Sequence, residues 1–322
     1  MTLETETVLD RRRLRRKLSL WRSLAVVAGV LALGVMFSMR DGQSGFTQPR
    51  QIARISIEGM ITENRQQLEL LHRVGEAKHV EGVILFVNSP GGTTTGGEAL
   101  FEALRKLSEK KPLVAQFGTV AASAAYIAGL GTDYIVARGN TITGSVGVIM
   151  QWPEVSELLA KLGVKMNEIK SGPLKASPSP FQPVDEPSRQ VVQAMILEGQ
   201  RWFLGLVTSR RNVKTGEIPG LEQGRVYSGR EAQTHKLVDE IGGETEVVRY
   251  LQEKRNVPKD LKIVDWKPKR QSDWPLTTSE AGIFGWLAGR MFGDLGARLA
   301  QDPNLGSVGL DGLVSVWHPG KN

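Results

Sequence analysis

A single serine, Ser123, lies in a run made almost entirely of glycine and alanine, GTVAASAAYIAGLG over residues 118–131. The run follows a predicted strand, so Ser123 falls near the start of a short helix, where free backbone N–H groups and the helix dipole favour a developing negative charge. Small neighbours let the backbone of a substrate come close to the hydroxyl. The same composition also suits tight helix–sheet packing, so the pattern allows either a nucleophile or a packing residue.

A second glycine-rich segment, NSPGGTTTGG over residues 88–97, follows the unbroken apolar run at 82–88. In open α/β sheets, ligands bind at the carboxyl ends of such buried strands. Gly91 and Gly92 can present backbone N–H groups with no side chain in the way, which suits an oxyanion hole. The segment contains neither G-K-[ST] nor G-x-G-x-x-G, and this argues against a phosphate or dinucleotide site.

A serine nucleophile needs a base, and histidine is the usual one. None of the four histidines lies in a predicted loop near the ends of the central strands: His72, His79, His235 and His318. The chain has no cysteine and no H-E-x-x-H motif, so we expect no metal and no other cofactor.

Lysine is the alternative base. The segment EIKSGPLKASPSPF, residues 168–181, carries Lys170 and Lys175 in a loop rich in glycine, proline and serine. A lysine acts as a base only when it is neutral, which requires a pocket that desolvates its amine. The apolar neighbours that could form this pocket are Pro173, Leu174 and Phe181.

These candidate residues lie within a regular alternation of predicted strands and helices, which predicts βαβ units and a mostly parallel sheet. The predicted strands are 54–61, 82–88, 112–117, 134–138 and 164–170. The predicted helices are 63–77, 96–110, 121–129, 153–163 and 187–210. Residues 224–243 are predicted as a turn, a helix and a short strand, and residues 281–300 as an amphipathic helix.

The N-terminal residues differ in character from this domain. Residues 1–22 carry seven basic and three acidic side chains, which is +4 of the net charge of +7. Residues 23–39 carry no charge and could form a short transmembrane anchor, although a cleaved signal peptide is the alternative. The positive-inside rule then places the basic tail in the cytoplasm and the catalytic domain on the exported side. Because the remaining charge is small and unpatterned, we expect no nucleic-acid partner.

The motifs occur in the order NSPGG, G-x-x-AAS, TGSVGV, IKSGPLK and GRVYSGREAQ…LVDEIGG, and together they resemble the signal peptide peptidase A family of serine–lysine proteases. The resemblance covers residues 51–250 and implies the crotonase-like fold shared with the Clp protease subunit. We therefore expect a cytoplasmic tail at 1–22, an anchor at 23–39, a linker at 40–50, a peptidase domain at 51–255 and an extension of unknown role at 256–322.

By position, the resemblance makes Ser123 the nucleophile, Lys175 the general base and Ser145 the residue that orients the lysine, whereas Lys170 matches a lysine that is not catalytic. The oxyanion hole would comprise the N–H of Gly91 or Gly92 and that of Ala124. In this family the serine and lysine of one site come from neighbouring units, which implies that copies of this chain form a ring. The expected enzyme is a serine endopeptidase of the bacterial inner membrane that degrades spent signal peptides.

Other functions are compatible with parts of the sequence. A Clp-type serine protease would need a histidine between residues 80 and 234, and an acyl-CoA hydratase would need paired glutamates near 118–150; neither is present. A peptidase specific for one membrane protein and an inactive peptide-binding scaffold remain alternatives.

Overall fold

The computed structural model describes residues 21–30, 48–268 and 314–316. Residues 48–268 and 314–316 contain a sheet of nine strands. The strands are β1 (Gln51–Ile61), β2 (Val80–Thr93), β3 (Leu113–Ala122), β4 (Tyr134–Ala137), β5 (Ile142–Gly144), β6 (Val226–Ser228), β7 (Glu240–Ile241), β8 (Lys262–Trp266) and β9 (Val314–Val316). The main path through the sheet is β6–β5–β3–β2–β1–β8, with β4 between β3 and β7. The pairs β5–β6 and β2–β9 are antiparallel, and the other pairs are parallel.

Helices connect most of these strands. They are α1 (Arg65–Glu76), α2 (Thr94–Lys110), α3 (Ala124–Leu130), α4 (Ser156–Lys161), α5 (Glu186–Arg211), α6 (Gly229–Thr234) and α7 (Glu244–Lys254). Side-chain caps mark where some of these helices begin. The Asn64 side chain accepts a hydrogen bond from the backbone N–H of Gln67 before α1, and the Asp185 side chain accepts one from that of Ser188 before α5. Each cap satisfies one of the backbone donors that a helix leaves unpaired at its N-terminus.

The sheet is covered on both faces by apolar residues. The larger core lies between the sheet and α1, α2, α3 and the C-terminal half of α5, where Phe203 and Val207 are fully buried. A smaller core on the other face packs Val247 and Leu251 of α7 against the strands. Burial on both faces explains why the central strands are continuous apolar runs in the sequence.

The prediction of an α/β fold with a mostly parallel sheet is confirmed, but the prediction of one strand, at 164–170, is wrong. Residues 164–170 contain no strand. They are largely exposed, including Ile169, and no described strand lies beside them to supply a hydrogen-bonded partner. The helix predicted at 153–163 is confined to α4, and the one predicted at 281–300 lies outside the described residues.

Residues 21–30 are helical and exposed, and residues 31–39 of the predicted anchor lie outside the described residues. Among the residues that the structure describes, no helix has both the length and the apolar character needed to span a bilayer.

Candidate active site

Ser123 has a backbone conformation that L-residues rarely adopt. Its φ is 58° and its ψ is −122°, close to the first central position of a type II′ turn, where glycine is usual. This residue alone turns the chain from Ala122 of β3 into Ala124 of α3. Its N–H donates to Gly144 O (2.8 Å) and its carbonyl accepts from Ile127 N–H (3.0 Å). A strained serine at such a strand-to-helix turn is typical of a nucleophile presented to a substrate.

Ser145 follows the strand next to that of Ser123. β3 and β5 run parallel with Ala122 opposite Gly144, so the two serines are the next residues along neighbouring strands. Ser145 also has a positive φ, 53°, and its N–H donates to Arg225 O (2.9 Å). The structure therefore brings the predicted nucleophile together with the serine predicted to orient the lysine.

Asn88 fixes a bulge in the strand that leads to Ser123. The register between β2 and β3 shifts after Val87, and residues 118–120 of β3 face the single residue Asn88. The Asn88 Oδ1 accepts from the backbone N–H groups of Thr119 (3.1 Å) and Val120 (3.2 Å). A carboxamide at the end of the apolar run 82–88 was the sequence signal for this role, and the prediction based on the neighbouring glycines missed it.

The glycines predicted for the oxyanion hole lie where β2 approaches β1 closely. A Cβ on Gly92 would lie 1.7 Å from Ile61 O, so only glycine fits there, and Gly91 has a φ of 117°. The Gly91 N–H donates to the buried Ser89 Oγ at 3.1 Å. Ala124, the third predicted member, is the fully buried first residue of α3. The Gly91 donor is thus engaged by a side chain in this structure.

The helix that follows Ser123 is held firmly in place. All seven residues of α3 are buried. At its C-terminal end, the Arg210 guanidinium donates to Leu130 O (2.9 Å) and Thr132 O (3.0 Å). Tyr126 donates its hydroxyl to Leu237 O at 2.8 Å, and burial raises the pKa of Tyr126 well above its usual value, so the residue is a neutral donor. These contacts fix the helix whose first turn adjoins Ser123.

The two candidate lysines have different surroundings. Lys170 Nζ lies 2.6 Å from Glu168 Oε2 in an ion pair, and its side chain is 19 % exposed. Lys175 is exposed and lies in a turn in which its N–H donates to Gly172 O (3.1 Å). Ser123, by contrast, is 1 % exposed. Among the described residues of one chain, the Lys175 side chain therefore lies in solvent, whereas Ser123 is buried.

The whole segment around Lys175, residues 149–185, is poorly covered. The apolar neighbours expected to desolvate the lysine are themselves exposed, with Leu174 at 47 % and Phe181 at 40 %. Further exposed apolar side chains in the segment are Ile149, Leu158, Leu162, Val164, Met166 and Ile169. Among the described residues, nothing therefore encloses the Lys175 side chain in a desolvating pocket.

Comparisons with known families agree with the fold. Residues 105–258 match the model described as "Peptidase family S49", and residues 50–138 match that of "Clp protease". The solved structure of a point mutant of the "1510-N membrane-bound stomatin-specific protease" aligns over 69 % of this chain and all of its own, with a TM-score of 0.45 and 12 % identity. That similarity is too low to add to the assignment.

Several named relatives are closer in sequence. "Putative protease MJ0651" of Methanocaldococcus jannaschii is 33 % identical over 69 % of this chain and 68 % of its own. "Putative signal peptide peptidase SppA" of Enterococcus faecium is 32 % identical over 83 % of this chain and 77 % of its own. "Protease 4" of Haemophilus influenzae is 31 % identical over 70 % of this chain but only 38 % of its own.

The family model matches the region that contains both Ser123 and Lys175. Two of these relatives exceed 30 % identity over more than two thirds of their own length. The chain therefore belongs to peptidase family S49, which the motifs predicted, and is a serine-type peptidase.

Proposed function

We propose that this peptidase is a membrane-anchored endopeptidase that cuts peptides through an acyl-enzyme on Ser123, with Lys175 of a neighbouring copy as the base. The observation that carries the proposal is the strained turn at Ser123, held beside Ser145 by the pairing of β3 with β5. A backbone conformation costing about 1–3 kcal/mol persists only where the surroundings enforce it, and such residues cluster at active sites.

In this proposal the catalytic lysine comes from a second copy of the chain. Lys175 is exposed and lies in a segment rich in exposed apolar side chains, so the described residues of its own chain give it no desolvating environment. A second copy packed on residues 149–185 would cover these apolar side chains and could bring Lys175 beside the buried serine. The resemblance to proteases that share their dyads between units supports this arrangement, and a closed ring would give every copy the same contact.

In this site each residue has a separate task. Neutral Lys175 takes the proton of the Ser123 hydroxyl as the oxygen attacks the substrate carbonyl, and Ser145 holds the amine in line. Backbone N–H groups stabilise the oxyanion: that of Ala124, and that of Gly92 or of Gly91 once Ser89 Oγ releases it. Lys175 then passes its proton to the leaving amine, and water, activated by the same lysine, releases the acyl group.

For the substrate we propose spent signal peptides, because one relative is named as a signal peptide peptidase and the small residues around Ser123 favour small or medium apolar side chains before the cut. For the location we propose the bacterial inner membrane, with residues 23–39 as the anchor and the catalytic domain on the exported side. The uncharged sequence of that segment, preceded by arginines, supports this orientation.

The test is cleavage of a synthetic signal peptide by the full chain in detergent, next to Ser123→Ala and Lys175→Ala. Lys165→Ala is the matched control, since it removes another exposed lysine from the same segment. We expect both site variants to lose nearly all activity and the control to keep it. Wild-type activity should also rise with pH as the lysine loses its proton, and a flat profile from about pH 6 to pH 10 would contradict a lysine base.

Mixing the two inactive variants tests the shared dyad. If Ser123→Ala and Lys175→Ala chains co-assemble, some sites combine an intact serine with an intact lysine from the next copy, so activity should return. No return in mixed assemblies of confirmed composition would place both residues in one chain. Wild-type protein that cuts no unfolded peptide would favour the inactive scaffold, and cleavage of one membrane protein alone would favour the specific peptidase.

A further inference from the structure

The two serines of the candidate active site are connected through one residue, Gly144. Its carbonyl accepts the N–H of Ser123 at 2.8 Å, and Ser145 is the next residue along the chain. Gly144 and Ser145 both have a positive φ, 85° and 53°. This conformation is strained at Ser145, which carries a Cβ, so the surrounding structure must enforce it. The position of Gly144 therefore determines where the two serines lie relative to each other.

The aromatic ring of Tyr227 packs directly against Gly144. A Cβ on Gly144 would lie 2.6 Å from Cδ2 of this ring, so the ring fills the space beside the glycine backbone. The Tyr227 side chain is 2 % exposed. Tyr227 belongs to β6, whose antiparallel pairing with β5 puts Val226 opposite Gly144, and Arg225 O accepts the Ser145 N–H at 2.9 Å. Strand β6 thus holds this point of β5 by its backbone and supports it with an aromatic ring.

Other contacts hold the ring of Tyr227 in place. Its hydroxyl donates to Pro219 O at 2.8 Å. The Arg225 guanidinium lies over the ring, 5.0 Å from its centroid, and donates to the same Pro219 O at 3.3 Å. The guanidinium also pairs with Glu231 Oε1 at 2.6 Å. A bonded hydroxyl at one end and a cation over the face leave the ring little freedom, so it is a fixed support for Gly144.

We propose that Tyr227 is a positioning residue for the candidate active site. Its ring supports Gly144 and thereby fixes the distance between the two serines. The inference rests on the proposed function, because it takes Ser123 as the nucleophile and Ser145 as the residue that holds the lysine amine. A displacement of about 1 Å at a reacting group can lower a rate about 100-fold, so loss of this support should appear in kcat. The proposal also gives a role to the segment GRVYSG, residues 224–229, which contains no candidate catalytic residue.

The first experiment compares Tyr227→Leu with Tyr227→Phe in the full chain in detergent. Leucine keeps a buried apolar side chain but removes the ring from Gly144, whereas phenylalanine keeps the ring and loses only the bond to Pro219 O. We expect Tyr227→Leu to lower kcat for a synthetic signal peptide about tenfold or more, with KM within about twofold of wild type. Tyr227→Phe should keep kcat within about threefold of wild type. An equal kcat in the two variants, or an effect confined to KM, would overturn the proposal.

The matched control for a loss of stability is Leu251→Ala. Leu251 is fully buried, but it lies in the smaller core on the other face of the sheet. This variant should have a lower Tm, as Tyr227→Leu should, because both remove apolar contacts from a core. Its kcat should stay within about twofold of wild type at a temperature where all variants are folded. A fall in kcat equal to that of Tyr227→Leu would show that the tyrosine acts through stability alone, and would overturn the proposal.

The second experiment is independent of catalysis. Hydrogen exchange is measured at the amide of Ser123, which donates to Gly144 O, and at that of Ser145, which donates to Arg225 O. We expect both amides to exchange at least about fivefold faster in Tyr227→Leu than in Tyr227→Phe, and equal exchange would overturn the proposal. Faster exchange together with a wild type that cuts no peptide would keep this inference and refute the proposed peptidase function. Peptide cleavage with an unchanged kcat in Tyr227→Leu would refute this inference alone.

Discussion

The backbone at Ser123 predicts that glycine will be a more stable replacement for the candidate nucleophile than alanine. Both substitutions remove the hydroxyl and should abolish peptide cleavage. Alanine keeps a Cβ at φ 58° and ψ −122°, whereas glycine adopts this conformation without a steric clash. The comparison therefore isolates the strain at this turn from the chemistry of the side chain.

The expected difference follows from two opposing contributions to the free energy of unfolding. Relief of the strained conformation favours glycine by about 1–3 kcal/mol. The greater freedom of glycine in the unfolded chain disfavours it by about 0.5–1 kcal/mol. The central values leave Ser123→Gly more stable than Ser123→Ala by about 1 kcal/mol, or about 2–4 °C in Tm for a domain of this size.

The assay is thermal and urea unfolding of the two variants, with Ser108 as the control position. Ser108 is also buried, but it lies inside α2 with an ordinary helical backbone, and its hydroxyl donates to Arg105 O at 2.8 Å. There the order should reverse, with Ser108→Gly about 1 kcal/mol less stable than Ser108→Ala because of helix propensity. An alanine variant at Ser123 as stable as the glycine variant, with the expected order at Ser108, would refute the strained turn.

Three further predictions concern the site and its support. Asn88→Ala removes the acceptor for two backbone donors and should lower kcat for a peptide by about tenfold or more. Asn88→Asp keeps an acceptor oxygen, so its kcat should fall less. An equal fall in kcat for the two variants would contradict the role of Asn88 in fixing the bulge. Burial, followed by the Glu240 carboxylate, raises the pKa of Tyr134 to about 12. This pKa lies above the unfolded value, so the contribution of Tyr134 to stability is complete below about pH 10 and is lost as pH rises towards about pH 12. Urea unfolding across that range should show a smaller loss of stability in Tyr134→Phe than in wild type. An equal loss in the two proteins would exclude Tyr134 as the source of this pH dependence. Arg211→Leu breaks a bidentate ion pair with Asp239 (2.9 and 2.8 Å) and should destabilise the fold by about 3–5 kcal/mol in urea unfolding. Stability should recover in part when Asp239 is also replaced by leucine. No recovery would show that the unpaired carboxylate of Asp239 is not the cause of the loss.

Most of the fold could be predicted from the sequence, because the patterns that indicate strands and helices are local. The apolar run at 82–88 reflects burial of a strand on both faces of a parallel sheet, and the apolar spacing that follows it reflects a helix packed on that sheet. The structure has a strand and a helix at these two places. The strand predicted at 164–170 failed because strands require a partner, which no periodicity within the segment can supply.

The site could be predicted only in part. Motif order identified Ser123 and Ser145 as candidates, but their proximity depends on the register between β3 and β5, which no local pattern states. The role of Asn88 depends on a bulge in the neighbouring strand and was missed for the same reason. The described residues leave Lys175 in solvent, so the fold of a single chain does not test its predicted role as the base.

The poor cover of residues 149–185 has a consequence for when the enzyme could become active. A segment that buries so little gains little free energy from its own folding, so its amide hydrogens should exchange quickly in an isolated copy. In the proposed assembly, where other copies cover the segment, the exchange should slow. If Lys175 of a neighbouring copy is the base, as proposed above, the catalytic machinery would be completed only at concentrations that allow assembly. A newly made, dilute chain would then be a harmless precursor, activated by its own abundance without removal of any propeptide.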